Sequence, residues 1–335
     1  MAIWVDDGLV CGNNTTTIGE MLAHLNRAFK ITSRKADNFV GLNIKRDRQN
    51  KLLYVSQPDY INKILTTFGM QNCRPRGTPA DPFTRLTKKM SPADEIEREN
   101  MASIPYREAI GSLIYAATTC RPDIAYAVSQ VAQYCENPGK SHWEAVKRIL
   151  AYLSITPDYG LRFDGAIQES LTLHGFTDSD YAGDCDNRRS TSGYVFTLNG
   201  GPIAWSSRCQ DCVATSTTEA EYIAASEATK EAVWLRRLIT QLGAKQREPT
   251  PIKCDNKSAI KLTKNPEYHR RTKHIDVRYH FVRHYQEMKN IEVSYVPTEN
   301  QVADILTKNF PGPRFLKLRE DLGIDQTPPC TSPKK

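Results

Sequence analysis

The sequence has no long hydrophobic run and no cleavable leader, and its cysteines show no regular spacing. A bilayer-spanning helix needs roughly 20 consecutive apolar residues, so a membrane protein is disfavoured, as is a secreted one. Nine cysteines are scattered over 335 residues, and this odd, irregular set favours reduced thiols inside a cell. Lys and Arg exceed Asp and Glu by seven, a modest surplus that suits contact with a polyanion such as nucleic acid.

The stretch Thr215–Ser226 is predicted to begin a helix that places a carboxylate on its apolar face. Counted from Glu221, apolar residues recur at offsets of three and four, namely Ala225, Ala228, Ala232, Leu235, Ile239 and Leu242. Glu219 is about 200° away around the helix and is expected to face solvent. One interpretation is a capping box, with Thr218 as N-cap and Glu221 as its partner. The other is an inward carboxylate, which needs a cationic or metal partner when buried.

Three more carboxylates lie at the ends of predicted elements. Leu171–Asp178 and Pro251–Asp255 are predicted strands that each end in an aspartate. Asn290–Val296 is a further predicted strand, which leads through the capping box Thr298–Gln301 into a short helix that contains Asp304. These elements are expected to form one mixed sheet with helices packed on it.

Four clustered carboxylates repel one another and raise each other's pKa unless cations neutralise them. Oxygen ligands without thiols or imidazoles favour Mg²⁺, with Mn²⁺ as an alternative, over zinc. Two such ions roughly 4 Å apart can activate a water and stabilise the leaving oxygen in phosphodiester cleavage. The predicted catalytic and metal-binding residues are Asp178, Glu221, Asp255 and Asp304.

Other candidate ligands are present but less favoured. Three aspartates near Asp178 are rivals by proximity and are interpreted as a solvated turn; they are Asp180, Asp184 and Asp186. A zinc site at Cys209 and Cys212 is disfavoured because His280 and His284 lie much farther along the chain than a zinc finger allows.

Five separated motifs carry a resemblance to a known family. In chain order they are Arg189–Val195, Ser216–Tyr222, Cys254–Ala259, Arg271–Asp276 and Val302–Lys308. Together with the order of the four carboxylates, they resemble the ribonuclease H domain of copia-type retrotransposon Pol polyproteins, and the resemblance runs along nearly the whole chain. It implies an α/β fold with a ribonuclease H-like mixed five-stranded sheet and flanking helices.

The resemblance also implies an activity, namely two-metal endonucleolytic cleavage of the RNA strand of RNA·DNA hybrids during reverse transcription. The products would be a 5′-phosphate and a 3′-hydroxyl. Asp178 would bridge both ions, Glu221 and Asp255 would complete one site, and Asp304 the other. Asn256 lies where polar groups would read 2′-hydroxyls. Many cellular ribonucleases H carry a histidine before the last aspartate, whereas Val296–Asp304 contains none, so slower turnover is expected.

The segment Met1–Val10 is predicted to be a tight β-hairpin. By resemblance, Trp4–Asp7 is similar to the Tyr-Val-Asp-Asp motif of the reverse transcriptase palm. A polymerase also needs a further palm aspartate and the fingers, which would precede Met1. Asp6 and Asp7 are therefore expected to be a vestigial polymerase metal site without DNA synthesis by this chain alone.

The predicted organisation has five parts. They are a truncated reverse transcriptase palm and thumb remnant over 1–69, a linker over 70–104, a helical connection over 105–158, a ribonuclease H-like domain over 159–322 and a disordered tail over 323–335. The first part is predicted to hold a core-packing helix over Thr15–Phe29, a hairpin formed by Phe39–Lys45 and Lys51–Ser56, and a helix over Gln57–Phe68.

A basic run between His269 and His284 leaves two interpretations open. It is either a solvated helix face or a phosphate-binding surface for a hybrid duplex, with Arg270, Arg271 and Lys273 as the contact residues. The expected partners are an RNA·DNA hybrid, nucleic-acid backbone and the rest of a polyprotein, without a membrane. The expected location is a cytoplasmic virus-like particle or the nucleus.

Three alternatives compete with the nuclease hypothesis. The chain could be an inactive remnant that only binds nucleic acid, or part of an RNA-directed DNA polymerase that needs further residues. An integrase or transposase of related fold also uses clustered carboxylates, but it places its glutamate on a late helix rather than an early one.

Overall fold

A computed structural model describes residues 1–167, 171–264 and 273–328, with backbone alone for 273–279. The first half contains β1 (Ala2–Trp4), β2 (Asp7–Leu9), α1 (Thr15–Ala28), β3 (Asn38–Phe39), β4 (Leu42–Asp47), β5 (Leu52–Ser56), α2 (Pro58–Thr67), α3 (Glu95–Ala102), α4 (Tyr106–Thr119), α5 (Ala125–Ala132) and α6 (Lys140–Leu153). Two single-turn 3₁₀ helices, Lys88–Met90 and Pro122–Ile124, lie between them.

The second half contains β6 (Tyr159–Asp164), β7 (His174–Ser179), β8 (Thr191–Leu198), β9 (Gly201–Cys209), α7 (Thr217–Gln241), β10 (Thr250–Cys254), α8 (Lys257–Lys264), α9 (Lys273–Glu287), β11 (Ile291–Tyr295), α10 (Gly312–Asp321) and β12 (Ile324–Gln326). Two 3₁₀ helices, Thr298–Asn300 and Val302–Leu306, follow β11. None of the described helices is both long and apolar enough to cross a membrane.

The first sheet is antiparallel, in the order β12-β6-β5-β4-β3. The hairpin predicted between Phe39 and Ser56 is confirmed as β4 and β5. The expectation of a disordered tail is wrong for its first residues, because Ile324–Gln326 pair with β6. The buried Leu322 and Ile324 side chains hold this last strand in place. The strand β6, at the predicted start of the nuclease part, pairs within this same sheet.

The second sheet is mixed, in the order β11-β10-β7-β8-β9. Strands β7, β8 and β9 are antiparallel neighbours, whereas β10 runs parallel to both β7 and β11. In the sequence, Asn199-Gly-Gly201 lies between the apolar runs Gly193–Leu198 and Pro202–Ser206, which predicts a β-hairpin. The structure confirms it between β8 and β9, where Asn199 and Gly200 both have positive φ angles, as a tight two-residue turn requires. The predicted α/β fold with a ribonuclease H-like mixed five-stranded sheet is thereby confirmed.

The second sheet is covered on both faces. On one face α7 buries the predicted apolar positions, including Ala228, Leu235 and Ile239, against Phe196 and Ile252. Leu242, the last position of that pattern, is exposed because it caps the end of the helix. On the other face, helices α4, α5 and α6 share one core cluster with side chains of the second sheet and of the helix Val302–Leu306.

Two predictions for the first hundred residues need correction. The helix over Thr15–Phe29 exists as α1, but it does not pack into a core: none of its fourteen residues is buried, and its apolar residues Ile18, Leu22 and Leu25 are only half-buried. The segment 70–104, predicted as a linker, is held against the rest of the molecule. The amide of Arg76 donates to the carbonyl of Ala151 at 3.3 Å, and Thr78 is buried.

Candidate active site

Asp178 and Asp255 lie at the same edge of the second sheet. Asp178 is near the end of β7, and Asp255 directly follows β10. Because β7 and β10 are parallel neighbours, their carboxyl ends meet at one edge, so the two aspartates lie close together. The hydroxyl of Thr298 donates to Oδ2 of Asp255 at 2.7 Å and orients that carboxylate.

Glu221 lies in the second turn of α7, which packs across the sheet. Its side chain is buried, and the thiol of Cys254 donates to its Oε2 at 3.8 Å. One potential ligand atom each from Glu221, Cys254 and Asp255 lies within 4.8 Å of the others. The α7 carboxylate therefore points at the strand edge that carries the two aspartates.

Asp304 reaches the same place on the buried 3₁₀ helix Val302–Leu306. The side-chain amide of Gln301, which caps this helix, donates to the carbonyl of Thr177 at 2.9 Å and ties it to β7. On β8, Gly193 permits the close approach, since a Cβ atom there would lie 2.7 Å from Cγ2 of Thr307. The described residues place the four carboxylates at this edge as two groups, Glu221 with Asp255 and Asp178 with Asp304. Their role as metal ligands stays a prediction.

Lys308 is a residue that the sequence interpretation missed. Its Nζ lies 2.8 Å from Oδ1 of Asp304 and 3.1 Å from Oδ2 of Asp178, so it joins the two carboxylates. Thr307 donates its hydroxyl to the same Oδ2 of Asp178. The spacing of four residues between Asp304 and Lys308 is a signal for an ion pair on a helix, but the contact with Asp178 has no local signal.

Burial and mutual repulsion raise the pKa values of the inner carboxylates. The pKa of Glu221 lies well above its usual value because the side chain is buried and because Asp178 and Asp255 are nearby. Burial also raises the pKa of Asp178, although the Lys308 ammonium opposes this. For Lys308 itself, burial lowers the pKa, but the two aspartates outweigh burial and raise it. The positive charge of Lys308 therefore does not fully compensate the negative charge of Asp178 and Glu221.

The N-terminus of α7 differs from the predicted capping box. Ser216, rather than Thr218, is the N-cap, and its hydroxyl accepts from the amide of Glu219 at 3.1 Å. Glu219 was expected to face solvent, but it is buried and accepts from the amide of Thr215 at 2.8 Å. Because Glu219 is taken up by its hydrogen bond with Thr215 at the helix start, Glu221 is left as the inward carboxylate.

Of the three aspartates predicted as a solvated turn, Asp184 forms a hydrogen bond within the turn, whereas Asp180 and Asp186 accept from residues outside it, and Asp180 is half-buried rather than solvated. Asp180 accepts from the backbone amide of Thr191, and burial raises its pKa to about 6. Asp184 accepts from the amide of Asp186 at 2.8 Å. Asp186 in turn accepts from the amide of Lys88 at 2.8 Å, which attaches the segment 70–104 to this turn.

Of the residues predicted to contact nucleic acid, the structure describes the side chain of Asn256 alone. The side chain of Asn256 accepts from the amides of Ser258 and Ala259, each at 3.0 Å, so it caps the start of α8. Arg270 and Arg271 lie outside the described residues. Lys273 begins α9, and its side chain also lies outside the description.

Asp6 and Asp7 are separate from the four carboxylates in the fold. They are exposed on the small β1–β2 hairpin, where Trp4 pairs with Asp7. The hairpin prediction is confirmed. The vestigial polymerase site stays a prediction.

The donor set at the sheet edge fits a hard divalent cation. It offers four carboxylates, of which two have raised pKa values that a bound cation would lower. Carboxylate oxygens suit Mg²⁺ or Mn²⁺. The nearby Cys254 is a departure from an all-oxygen set, but burial raises the pKa of its thiol, so it remains protonated and donates to Glu221.

Two solved structures resemble parts of the chain. LC11-RNase H1 in complex with an RNA/DNA hybrid is similar over 41% of this chain and 94% of that chain, at 16% identity and a TM-score of 0.31. The foamy viral protease-reverse transcriptase in complex with dsDNA is similar over 84% of this chain and 52% of that chain, at 17% identity and a TM-score of 0.39. These TM-scores are low, so the fold rests on strand order and direction in the second sheet.

Relatives in sequence are much closer. The chain is 45% identical over 325 residues to the retrovirus-related Pol polyprotein from transposon TNT 1-94 of Nicotiana tabacum, covering 97% of this chain and 24% of the polyprotein. It is 32% identical over 234 residues to a putative transposon Ty5-1 protein of Saccharomyces cerevisiae, covering 69% of this chain and 73% of that protein.

No family model matches the chain. The chain spans about a quarter of the length of the first polyproteins that it matches. Its similarity to them nevertheless extends over 97% to 98% of its own residues. With the Ty5-1 relative matched over most of that protein, the chain belongs to the copia-type family of retrotransposon Pol polyproteins.

Proposed function

We propose that this chain cleaves the RNA strand of RNA·DNA hybrids in a reaction that depends on divalent metal. The observation that carries the proposal is the convergence of Asp178, Glu221, Asp255 and Asp304 at one edge of a ribonuclease H-like sheet. Membership of a Pol polyprotein family supports it, because reverse transcription generates such hybrids. The rest of the polyprotein is a proposed partner, and a cytoplasmic virus-like particle or the nucleus is the proposed location.

The proposed metal ligands are the same four carboxylates, with two Mg²⁺ ions as the natural occupants. Bound there, the ions would supply Lewis acidity and a lowered pKa for a water that attacks the phosphodiester. Asp178 is central to the set, since it neighbours Lys308 and shifts the pKa of Glu221. Asp178 is the proposed ligand of both ions. Glu221 and Asp255 would complete one metal site, and Asp304 would complete the other.

The surrounding residues hold the carboxylates in position. Thr307 orients Asp178, Cys254 orients Glu221, and Thr298 orients Asp255. Lys308 neutralises part of the carboxylate charge before cations bind. Its ammonium is then available to a substrate phosphate, because its side chain is 37% exposed rather than buried.

RNA selectivity is proposed to come from contacts with 2′-hydroxyls in the minor groove, near Glu221 and Asn256. We call the sheet edge that carries the four carboxylates the catalytic edge. The proposed phosphate contacts outside it are Arg270, Arg271 and Lys273. Val296–Asp304 contains no histidine, and slow product release is the proposed consequence. The role of that histidine in product release would then be vacant, or it would be filled by the exposed Glu299 or Asn300.

A labelled hybrid assay tests the proposal. The full chain should cut the RNA strand with Mg²⁺ and should not cut it with EDTA. Asp255→Asn should reduce the rate by on the order of 100-fold or more, since loss of even an outer partner of a metal ligand costs 10- to 100-fold. The matched control, Asp321→Asn on the exposed surface of α10, should cut at the rate of the unchanged protein.

Absence of metal-dependent cutting by the unchanged chain would contradict the proposal and favour an inactive remnant that only binds nucleic acid. DNA synthesis is not proposed for this chain alone, because a polymerase needs a further palm aspartate and the fingers in addition to the adjacent Asp6 and Asp7. A primer-extension assay that detects robust synthesis would contradict that statement.

A further inference from the structure

A groove of about 1240 Å³ opens beside the four carboxylates. Glu221 and Lys308 line it at the catalytic edge. From there it runs between helices α5 and α6, the turn that contains Asp184, and the segment Met70–Leu86. Small-molecule sites usually have volumes of about 300 to 1000 Å³, so this groove is large enough for a longer ligand.

The segment Met70–Leu86, which we call the strap, is a fixed wall of this groove. The guanidinium of Arg85 donates to the carbonyl of Gly183 at 3.4 Å. The guanidinium of Arg148 on α6 lies 3.3 Å from the carboxylate of Asp81 in the strap. These contacts join the strap to both opposite walls, so the groove is part of the folded molecule.

Several basic side chains that line the groove form no ion pair with another described residue. Three of the basic residues that line it are in ion pairs: Lys147 contacts Glu144, Arg148 contacts Asp81, and Lys308 contacts Asp178. Arg85 donates to the carbonyl of Gly183 instead. Arg74 and Arg76 on the strap and Arg188 on the turn also line the groove and are exposed. None of the three forms an ion pair within residues 1–167, 171–264 and 273–328. Guanidinium groups bind phosphate oxygens well because their donors form a planar fork.

We infer that this groove binds the sugar–phosphate backbone of a nucleic-acid strand and leads it to the catalytic edge, with Arg74, Arg76 and Arg188 as phosphate contacts. The inference rests on the proposed function, because it takes the carboxylates as the end of the path. Three separated guanidinium groups along an extended groove fit a chain of phosphates better than a single small anion. Residues 280–284, the described end of the basic run, do not line this groove.

Hybrid binding by the full chain tests the inference. Binding is measured by fluorescence anisotropy in the Asp255→Asn background, so that cutting does not interfere. The triple change Arg74→Gln, Arg76→Gln and Arg188→Gln should raise Kd by on the order of tenfold at low salt. It should also lower the salt slope by about two to three, one for each lost phosphate contact.

A matched triple change removes the same charge elsewhere. Arg46, Arg48 and Lys63 are exposed and lie outside the groove, so changing each to Gln should leave Kd and the salt slope nearly unchanged. Equal losses in both triple variants, or no loss in the groove variant, would overturn the inference. Thermal unfolding of both variants identifies any loss that comes from misfolding.

A second measurement needs no arginine variant. Cys185 is exposed and lines the groove, whereas Cys11 is exposed outside it. Bound hybrid should slow alkylation of Cys185 by iodoacetamide several-fold and leave Cys11 unchanged, as mass spectrometry reports. Unprotected Cys185 at saturating hybrid would overturn the inference. Protection of Cys185 together with no cutting by the unchanged chain would instead contradict only the proposed hydrolysis.

Discussion

At the scale of single residues, the main feature of the candidate site is the negative charge of its buried carboxylates. Asp178 and Asp304 are buried side by side; the Lys308 ammonium contacts both, and the Arg314 guanidinium lies 3.3 Å from Asp304, so both cations stabilise this arrangement without metal. A buried carboxylate that loses its partner is strongly destabilising. Lys308 therefore acts before cations bind, and it competes with them for the same oxygens.

Lys308→Met should destabilise the metal-free protein at pH 7 by on the order of 1 kcal/mol. The pair is partly solvent-exposed at the lysine, which reduces the loss below that of a fully buried pair. Mn²⁺ should bind the variant more tightly, because no ammonium has to be displaced. Urea unfolding and Mn²⁺ electron paramagnetic resonance measure the two effects. Lys317→Met, an exposed change on α10, is the control, and weaker Mn²⁺ binding by the Lys308 variant would contradict the expectation.

Glu221→Gln should stabilise the metal-free protein at pH 7 by a few degrees in Tm. The pKa of Glu221 is raised in the folded protein, so the folded state keeps a proton that the unfolded chain releases above pH 4.5. Stability contributed by this group is therefore present at low pH and falls as pH rises through that window. The advantage of the variant should shrink as pH falls towards 4.5.

Thermal unfolding in EDTA at several pH values measures this effect. Glu248→Gln, which changes an exposed glutamate, should show no such trend. A stabilisation that stays constant from pH 7 to pH 4.5 would show that charge at Glu221 is not the cause.

At the scale of elements, a buried ion pair joins α4, α5 and α6. Arg121 is fully buried and donates to both carboxylate oxygens of Asp123, at 2.9 and 2.8 Å. It also donates to the carbonyl of Thr156 at 2.7 Å, and Tyr152 donates to Asp123 at 2.6 Å. All partners are satisfied, so the pair fixes how the helical layer is arranged beneath the second sheet.

Asp123→Ala should lower the free energy of unfolding by about 3 to 5 kcal/mol, because it leaves the Arg121 guanidinium buried without its partner. The double change Arg121→Met and Asp123→Leu should cost less, since it removes both charges together. Urea unfolding measures both. A double variant less stable than the single one would mean that packing, rather than unpaired charge, dominates at this position.

At the scale of the whole molecule, the two sheets and the helical layer share one hydrophobic core. Val195 and Ile305 of the second-sheet region belong to the same cluster as Leu113 and Ile149 of the helical layer. The indole of Trp205 on β9 donates to the carbonyl of Ala117 on α4 at 2.8 Å. One face of the second sheet thus depends on helices that precede it in the chain.

A fragment over 159–335, the predicted nuclease part with its tail, should fold less stably than the full chain. Without α4, α5 and α6, the apolar face that contains Val195 and Ile305 is exposed to water. Increased binding of a hydrophobic dye and faster limited proteolysis should report this exposure. A fragment with the same urea midpoint as the full chain would contradict the expectation.

The sequence by itself determined those helices and strands whose apolar residues recur at a regular spacing. Alternation and helical spacing predicted the strands of the second sheet, the hairpin at Asn199 and the buried face of α7. The spacing of acidic residues at element ends predicted which carboxylates meet, because parallel strands bring their ends to one edge. These inferences depend on local geometry, which neighbouring residues control.

Only the tertiary structure decided the contacts between distant elements. It separated Glu219, which caps α7, from Glu221, which points inwards, and it brought Lys308 to Asp178 across 130 positions of sequence. It also attached the strap, through Arg85, to Gly183 in the turn near Asp184, and it paired β12 with β6. Such contacts carry no local periodicity, because they depend on how whole elements pack, and packing is a property of the folded chain.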